Sequence, residues 1–364
     1  MKIFRGLLLP LSLLYGIIVT IRNFLYDKKI ITSHSFGVPI LKVGNLTTGG
    51  TGKTPHVEYL IRLLQHEFRI ATLSRGYGRR TKGFIEAKLP SGVEQIGDEP
   101  MQYLTKFRNI VVTVCEDRSF AISNLLRREN SIQAIILDDA FQHRKVASGL
   151  NILLIDYDRV FKYDFILPTG NLREPRSSRK RANVIIITNS PSILVSIERK
   201  RILDFLNPNT DQLVFFSFVK YGEFVKLFGD RGDLQMGSNY YLEKRFTLLL
   251  VTGIANPSGL VEYLRRQTDK LELMQFPDHH QFSKKDLIKI QQTFDNIANP
   301  SKIIVTTEKD AMRLKNSENE NIASKLPFFY IPIEIQIHQE EEKFNNMIID
   351  YVRKNQSNNS FHSR

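Results

Sequence analysis

The residues best equipped for chemistry lie in the run Gly44-Asn45-Leu46-Thr47-Thr48-Gly49-Gly50-Thr51-Gly52-Lys53-Thr54. Glycines in such a run let backbone N–H groups curl around phosphate oxygens. A lysine at its end reaches the β and γ phosphates of a nucleotide, and the next hydroxyl can ligate Mg²⁺. Lys53 and Thr54 occupy those two positions, with Thr47, Thr48, Gly49, Gly50, Thr51 and Gly52 as the cradle. The strict P-loop pattern wants glycine where this chain has Thr47; Gly49 and Gly50 can supply the flexibility instead.

A nucleotide site of this kind needs an acidic residue at the end of a buried strand to hold the metal. Ala134-Ile135-Ile136-Leu137 runs into Asp138 and Asp139, and either carboxylate fits. Paired aspartates at a strand end can also simply cap a following helix. Arg75 and Arg79, separated by glycines, are candidate contacts for phosphate or for the charged transition state. Arg173, Arg176, Arg179, Lys180 and Arg181 form a denser basic run. It suits anionic headgroups, although a charge run is commonly a solvated face. Gln142-His143-Arg144 follows the strand-end aspartates without an assigned role.

These residues need a scaffold, and the hydrophobic pattern supplies one. The apolar run Pro39 to Val43 precedes the glycine-rich turn, and Val57, Leu60, Ile61 and Leu64 then mark one face of a helix opened by Pro55. Short apolar runs recur at Ile70–Leu73, Ile110–Val114, Ala134–Leu137, Ile152–Ile155, Val184–Ile187 and Leu213–Val219, spaced widely enough for crossovers. The pattern predicts an α/β P-loop core with a mostly parallel sheet over residues 30–220. A polar stretch, 221–245, reads as a linker. Runs at Phe246–Val251, Leu271–Phe276, Lys302–Val305 and Phe328–Ile335 predict a smaller α/β domain over 246–354, closed by an amphipathic helix around Phe344, Met347, Ile348 and Tyr351. Residues 355–364 read as a polar tail.

Residues 1–29 form a separate hydrophobic segment. No charge falls between Gly6 and Ile21, which are bracketed by Lys2 and Arg5 on one side and Arg22 on the other. The stretch is short for a span and carries Pro10 and Gly16, and no small-residue cleavage site follows it. A helix lying in a membrane interface is the leading expectation, with a short span and a buried core helix as alternatives. The formal net charge of +13 fits an anionic membrane surface. Nucleic acid is disfavoured, because neither a zinc-finger spacing nor an aromatic RNA-binding motif is present. The single cysteine, Cys115, excludes a disulfide framework and suits a reducing compartment.

The chain resembles the tetraacyldisaccharide 4'-kinases of lipid A synthesis. The resemblance is carried by Val43–Leu46 running into Gly49–Pro55, Leu73-Ser74-Arg75-Gly76-Tyr77-Gly78-Arg79, Gly97-Asp98-Glu99-Pro100 and Leu137–Arg144. It continues in Leu167-Pro168-Thr169-Gly170-Asn171-Leu172-Arg173-Glu174-Pro175, Gly253–Pro257, Phe276-Pro277-Asp278-His279-His280 and Thr306-Thr307-Glu308-Lys309-Asp310. It implies transfer of the ATP γ-phosphoryl group to the 4'-hydroxyl of a tetraacylated glucosamine disaccharide 1-phosphate, giving lipid IVA. It also implies a two-domain P-loop fold whose N-terminal helix dips into the membrane at the cytoplasmic face of a bacterial inner membrane. ATP and Mg²⁺ are the implied cofactors, and a lipid A precursor is the partner, with no obligate protein partner.

An alcohol acceptor needs a group to orient and deprotonate it. The resemblance points to Asp98 and His279 as that pair, with Lys53 on the phosphates, and adds Asn171 to Arg75 and Arg79 as a candidate substrate contact. Taken alone, Asp98 could begin a helix and His279-His280 could be a structural pair; adjacent histidines chelate a metal poorly. Three rival readings stand beside this one: a regulatory P-loop NTPase, a nucleic-acid-stimulated ATPase, and a kinase for another membrane-anchored sugar.

Overall fold

The computed structural model describes residues 6–147, 149–229, 237–315 and 320–357. Lys2 and Arg5 of the expected N-terminal segment lie outside them, as does most of the tail expected at 355–364. Among the described residues the strands are, in chain order, β1 (Ile40–Asn45), β2 (Ile70–Ser74), β3 (Ile85–Glu86), β4 (Val111–Val114), β5 (Ala134–Leu137), β6 (Leu150–Asp156), β7 (Val184–Thr188), β8 (Leu213–Tyr221), β9 (Val225–Lys226), β10 (Thr247–Thr252), β11 (Leu271–Gln275), β12 (Lys302–Thr307), β13 (Phe328–Ile331) and β14 (Ile333–Ile337).

Two compact units divide the chain. One holds residues 1–89, 103–219 and 335–364, the other 90–102 and 220–334. The nine-stranded sheet of the first runs β14-β8-β7-β6-β1-β5-β2-β4-β3. Strand β1 pairs in parallel with β5 and β6, β2 with β4 and β5, and β7 with β6 and β8; the two-residue β3 is antiparallel to its neighbour β4, and the edge strand β14 runs antiparallel to β8, with the His338 N–H donating to the Phe216 carbonyl. The central strands are buried on both faces, which is why their sequences are near-continuous Ile, Leu and Val rather than alternating. Because β1 and β5 are neighbours, the turn after β1 and the residues after β5 emerge side by side at the carboxyl edge of the sheet.

The second unit is a five-stranded sheet, β11-β10-β12-β13-β9, parallel except for β9. Its core includes Leu249, Val251, Ile304 and Phe328 on one side and Leu248, Leu250, Val305 and Phe329 on the other.

The α/β class with a mostly parallel sheet agrees with the sequence expectation, whereas the compact units divide the chain differently. The run expected as one strand over Phe328–Ile335 is two, β13 and β14, in different sheets. Pro332 between them has no N–H for a ladder. The final helix, Glu341–Ser357, belongs with the first unit: Phe344 packs on Phe215 and Tyr59 at ring distances of 5.1 and 5.8 Å. The stretch expected as a linker, 221–245, contains β9 and a short helix, Ser238–Glu243, with residues 230–236 outside the described set.

Helix α1 (Leu9–Asp27) is inside out. Its buried residues include Ser12 and Asn23, while Leu11, Leu13, Leu14, Ile17, Ile18, Ile21 and Phe24 are exposed. Ser12 donates to Thr169 Oγ1 at 2.7 Å and accepts from the Thr169 N–H at 2.9 Å. Asn23 and Arg22 both donate to the fully buried Glu174 carboxylate, which Arg181 also reaches at 2.6 Å. Polar contacts therefore dock one face, and the apolar side chains point away from the protein.

Candidate active-site residues

The phosphate loop follows β1 directly into helix α2 (Lys53–Leu64). Gly44 must be glycine, since a Cβ there would sit 2.7 Å from the Phe141 nitrogen. Gly52 caps the helix at φ 75°, a left-handed conformation that glycine adopts without strain. The loop is braced from outside. The Thr48 N–H donates to the Asn171 carbonyl at 2.8 Å, Arg159 donates to the Thr48 carbonyl at 2.9 Å, and Asn45 Nδ2 donates to Thr51 Oγ1 at 2.7 Å. His56, in the first turn of α2, donates from Nδ1 to the Gly52 carbonyl at 2.7 Å and accepts at Nε2 from Ser217 Oγ at 2.9 Å. Burial outweighs the Gly52 hydrogen bond and lowers its pKa to about 4, so the ring is neutral near pH 7.

Asp139 stands beside the loop lysine. Its Oδ1 lies 3.7 Å from Lys53 Nζ, and Arg173 Nη1 contacts both carboxylate oxygens at 2.8 and 2.9 Å. Burial would raise its pKa, but Lys53 and Arg173 outweigh that and hold it below the ordinary value. Its backbone is left-handed at φ 49°, which turns the carboxylate away from the direction the strand would give. Asp138 is buried instead, accepting from Tyr103 OH at 3.0 Å and Ser74 Oγ at 3.4 Å. Arg118 is buried close by in charge terms: burial lowers its pKa to about 10 against the pull of Asp138 and Asp139, and its Nε and Nη2 make no hydrogen bond.

In the second unit the carboxyl ends of β10 and β11 bring a different group together. His279, at φ 59°, is fixed through its N–H to the Gly253 carbonyl at 3.1 Å. Its Nδ1 is 3.0 Å from Asp98 Oδ2. Arg313 Nη2 donates to the same oxygen at 2.5 Å, and Lys309 Nζ lies 3.6 Å from it and 3.1 Å from Glu99 Oε1. Burial pushes the Asp98 carboxyl up, yet His279, Lys309 and Arg313 together hold it far below the usual carboxylate range. An ionised Asp98 fixes the proton of His279 on Nδ1 and leaves Nε2 as the acceptor. His280 is set apart: Nε2 faces Asp286 at 3.0 Å and the ring stacks on Phe276 at 4.7 Å.

The family model described as Tetraacyldisaccharide-1-P 4'-kinase, LpxK, matches residues 4–353. The chain belongs to this family. A Tetraacyldisaccharide 4'-kinase of Bacteroides fragilis is 45% identical over 360 residues, covering 98% of this chain and 96% of that protein. One of Flavobacterium johnsoniae is 44% identical over 355 residues, covering 98% and 99%. A solved structure of LpxK from Aquifex aeolicus in complex with ATP superposes with a TM-score of 0.70 at 29% identity, over 96% of this chain and 99% of that one.

Within this LpxK-family chain, the donor set can be tested against Mg²⁺. Magnesium keeps several waters and takes one or two carboxylates plus substrate phosphates, rather than an all-protein cage. Thr54 and the two aspartates offer only hard oxygen donors, and among the described residues no cluster of three His, Cys, Asp or Glu side chains forms such a cage. The residues fit.

Other expected contacts are used differently. Arg79 is tied into its own loop, donating to Glu116 at 2.6 Å and the Gly83 carbonyl at 2.7 Å, whereas Arg75 is exposed. Asn171 gives its carbonyl to Thr48, and its side chain donates to Asp164 at 2.9 Å. The basic run splits: Arg173 serves Asp139, Arg181 serves Glu174, and Arg179 donates to the Leu206 carbonyl at 3.0 Å. Arg118, Arg173, Lys309 and Arg313 escaped sequence reading as members of these constellations. Lys309 stood in the Thr306–Asp310 motif and Arg173 in the Leu167–Pro175 motif, whereas Arg118 and Arg313 lay in none.

Proposed function

We propose that this chain transfers the γ-phosphoryl group of ATP to the 4'-hydroxyl of a tetraacylated glucosamine disaccharide 1-phosphate, giving lipid IVA. The observation that carries the reading is Asp139 set against Lys53 at the mouth of a strand–loop–helix phosphate cradle, in a chain matched by the LpxK model over residues 4–353.

The acceptor oxygen attacks the γ-phosphorus, the bond to the β–γ bridging oxygen breaks, ADP leaves, and the hydroxyl proton must go to a base. Asp98 is a poor base by itself, because Arg313 and Lys309 stabilise its charge. His279 Nε2 takes the proton, and Asp98 orients the ring and stabilises the imidazolium that forms. Lys53 and the N–H groups of the loop carry the phosphate charge, with Arg173 and Arg118 as further cations. Thr54, Asp139 and Asp138 would hold Mg²⁺, which neutralises phosphate charge when bound.

The substrate's acyl chains explain α1. Beside it lies an apolar groove of about 600 Å³ lined by Leu13, Gly16, Ile17, Ile21, Phe165 and Ile166. Helix α1 is long and apolar enough to cross a membrane. Its single polar docking face favours a helix lying at the surface of the inner membrane, on the cytoplasmic side where ATP is available.

The test is purified protein with Mg²⁺, γ-labelled ATP and tetraacyl disaccharide 1-phosphate in detergent micelles, alongside Asp98→Ala and His279→Gln. Label enters the lipid with the unaltered protein and falls steeply with both variants. ATP hydrolysis without lipid labelling in the unaltered protein refutes the acceptor.

A further inference from the structure

Behind Asp98 and His279 lies a second carboxylate that touches neither. Asp310 is fully buried, and its Oδ2 accepts from Thr307 Oγ1 at 2.7 Å and from the Gly253 N–H at 3.0 Å. Its Oδ1 pairs with Arg313 Nη1 at 2.8 Å. Arg313, also buried, donates Nη1 to the Gly253 carbonyl at 3.1 Å and Nη2 to Asp98. Gly253 is the residue whose carbonyl holds the His279 N–H. One guanidinium therefore fixes the carboxylate of the pair and, through Gly253, the backbone that presents the imidazole.

We propose that Arg313, held by Asp310, is a positioning residue that sets both the orientation and the proton affinity of the Asp98–His279 pair. The inference rests on the reading of that pair as the base. A buried guanidinium in this place has two separable effects. Its fork allows one plane for Asp98, because the other nitrogen is committed to Asp310 and Gly253. Its charge, with Nη2 3.3 Å from His279 Nδ1, opposes a proton on the pair. The groups facing the imidazole are Asp98, Asp278 at 3.8 Å from Nε2, Lys309 at 3.5 Å from Nε2, and Arg313. Glu99 offsets part of the Lys309 charge. Two cations and two carboxylates thus set when the pair gives up its proton. Removing the buried cation makes the pair hold it to higher pH.

The experiment compares Arg313→Met, Arg313→Lys, Asp310→Asn and His279→Gln in the full chain, with thermal melting as the folding control. Rates of lipid phosphorylation are measured across pH, and the imidazole nitrogens are followed by NMR. Arg313→Met lowers kcat by about tenfold to a hundredfold, as misplacement of a catalytic group does, with little change in the KM for ATP. The acid limb of its kcat profile moves up by about one pH unit. Arg313→Lys keeps the charge but not the fork, so it returns the limb towards its normal position while kcat stays depressed. Asp310→Asn lowers kcat in the same manner, and if Arg313→Met fails to fold, Asp310→Asn and Arg313→Lys still carry the comparison. An unmoved acid limb in Arg313→Met, with the Nδ1–H tautomer of His279 intact, overturns the proposal. Wild-type rates and pH dependence in His279→Gln would instead overturn the reading of the pair itself.

Discussion

The His56 ring gives the most quantitative test of how the phosphate loop is held. It joins the Gly52 carbonyl to Ser217 on β8 and is buried, and its pKa falls from 6.5 to about 4. In the unfolded chain the ring takes a proton near pH 6.5, while the folded protein refuses it until about pH 4. The unfolded state therefore binds more protons between those values. Stability is fully present above pH 6.5 and is lost as pH falls. The whole shift corresponds to roughly 3 kcal/mol, and at about pH 5 the loss from this one residue is about 2 kcal/mol. His143, also lowered to about 4 chiefly by burial, adds a similar slope, so the variant must isolate His56. His56→Asn keeps a donor for Gly52 and cannot be protonated. It is less stable at neutral pH because Ser217 loses its partner, by about 1 kcal/mol. Urea unfolding at several pH values should show the stability difference shifting by about 2 kcal/mol in the variant's favour between pH 7.5 and 5, so that the order of the two proteins reverses. Parallel stability curves would refute the reasoning.

Three further outcomes follow from the same geometry. Lys53→Ala should abolish lipid phosphorylation with a melting temperature within a few degrees of normal, since its partner Asp139 keeps Arg173; near-normal turnover would remove the phosphate loop from the reaction. Glu174→Ala should cost about 3 kcal/mol or more, because Arg22, Asn23 and Arg181 lose their common buried acceptor, and thermal unfolding would read this. Gly44→Ala should cost about 1–3 kcal/mol and weaken nucleotide binding, because its new methyl group forces Phe141 and the Asp138–Asp139 segment away from the loop; equilibrium unfolding and nucleotide titration would check it.

What could be read from the chain follows from how local each constraint is. The phosphate loop is contiguous, and strand, glycines, lysine and helix must follow one another, so Gly44 to Thr54 was legible. So were Asp138 and Asp139, because an acidic strand end is also a local feature. Asp98 and His279 are 181 residues apart, and no periodicity links them; only the family resemblance joined them. The sequence cannot tell His279 from His280. The fold can, by giving one the Asp98 carboxylate and the other Asp286 at the start of helix Lys284–Asn296. The role of the basic run stayed open because charge on a surface and charge in a buried pair look alike in sequence. Arg173 and Arg181 are distinguished only by Asp139 and Glu174, which the fold brings to them.

The proposed bilayer placement of α1 follows from the same reasoning about partners. A soluble amphipathic helix buries its apolar stripe and exposes its polar one. In α1 the polar residues Ser12 and Asn23 are buried together with a single apolar one, Val19, among the described residues, while Leu9, Leu11, Leu13, Leu14, Tyr15, Ile17, Ile18, Ile21 and Phe24 are exposed. Covering nine such side chains is worth on the order of 10 kcal/mol, a large sum beside the whole stability of a domain. No described residue of the first unit covers them, so the balance favours an apolar solvent outside the protein. Glu174 makes this arrangement possible. By taking Arg22, Asn23 and Arg181 it lets one edge of the helix be held by charge, leaving the remaining circumference for lipid. Anchoring through Ser12, Gly16, Val19 and Asn23 keeps the groove beside Leu13 and Ile17 open to an acyl chain rather than filled by the helix itself. A helix held by apolar packing alone would have consumed the surface that a lipid substrate needs.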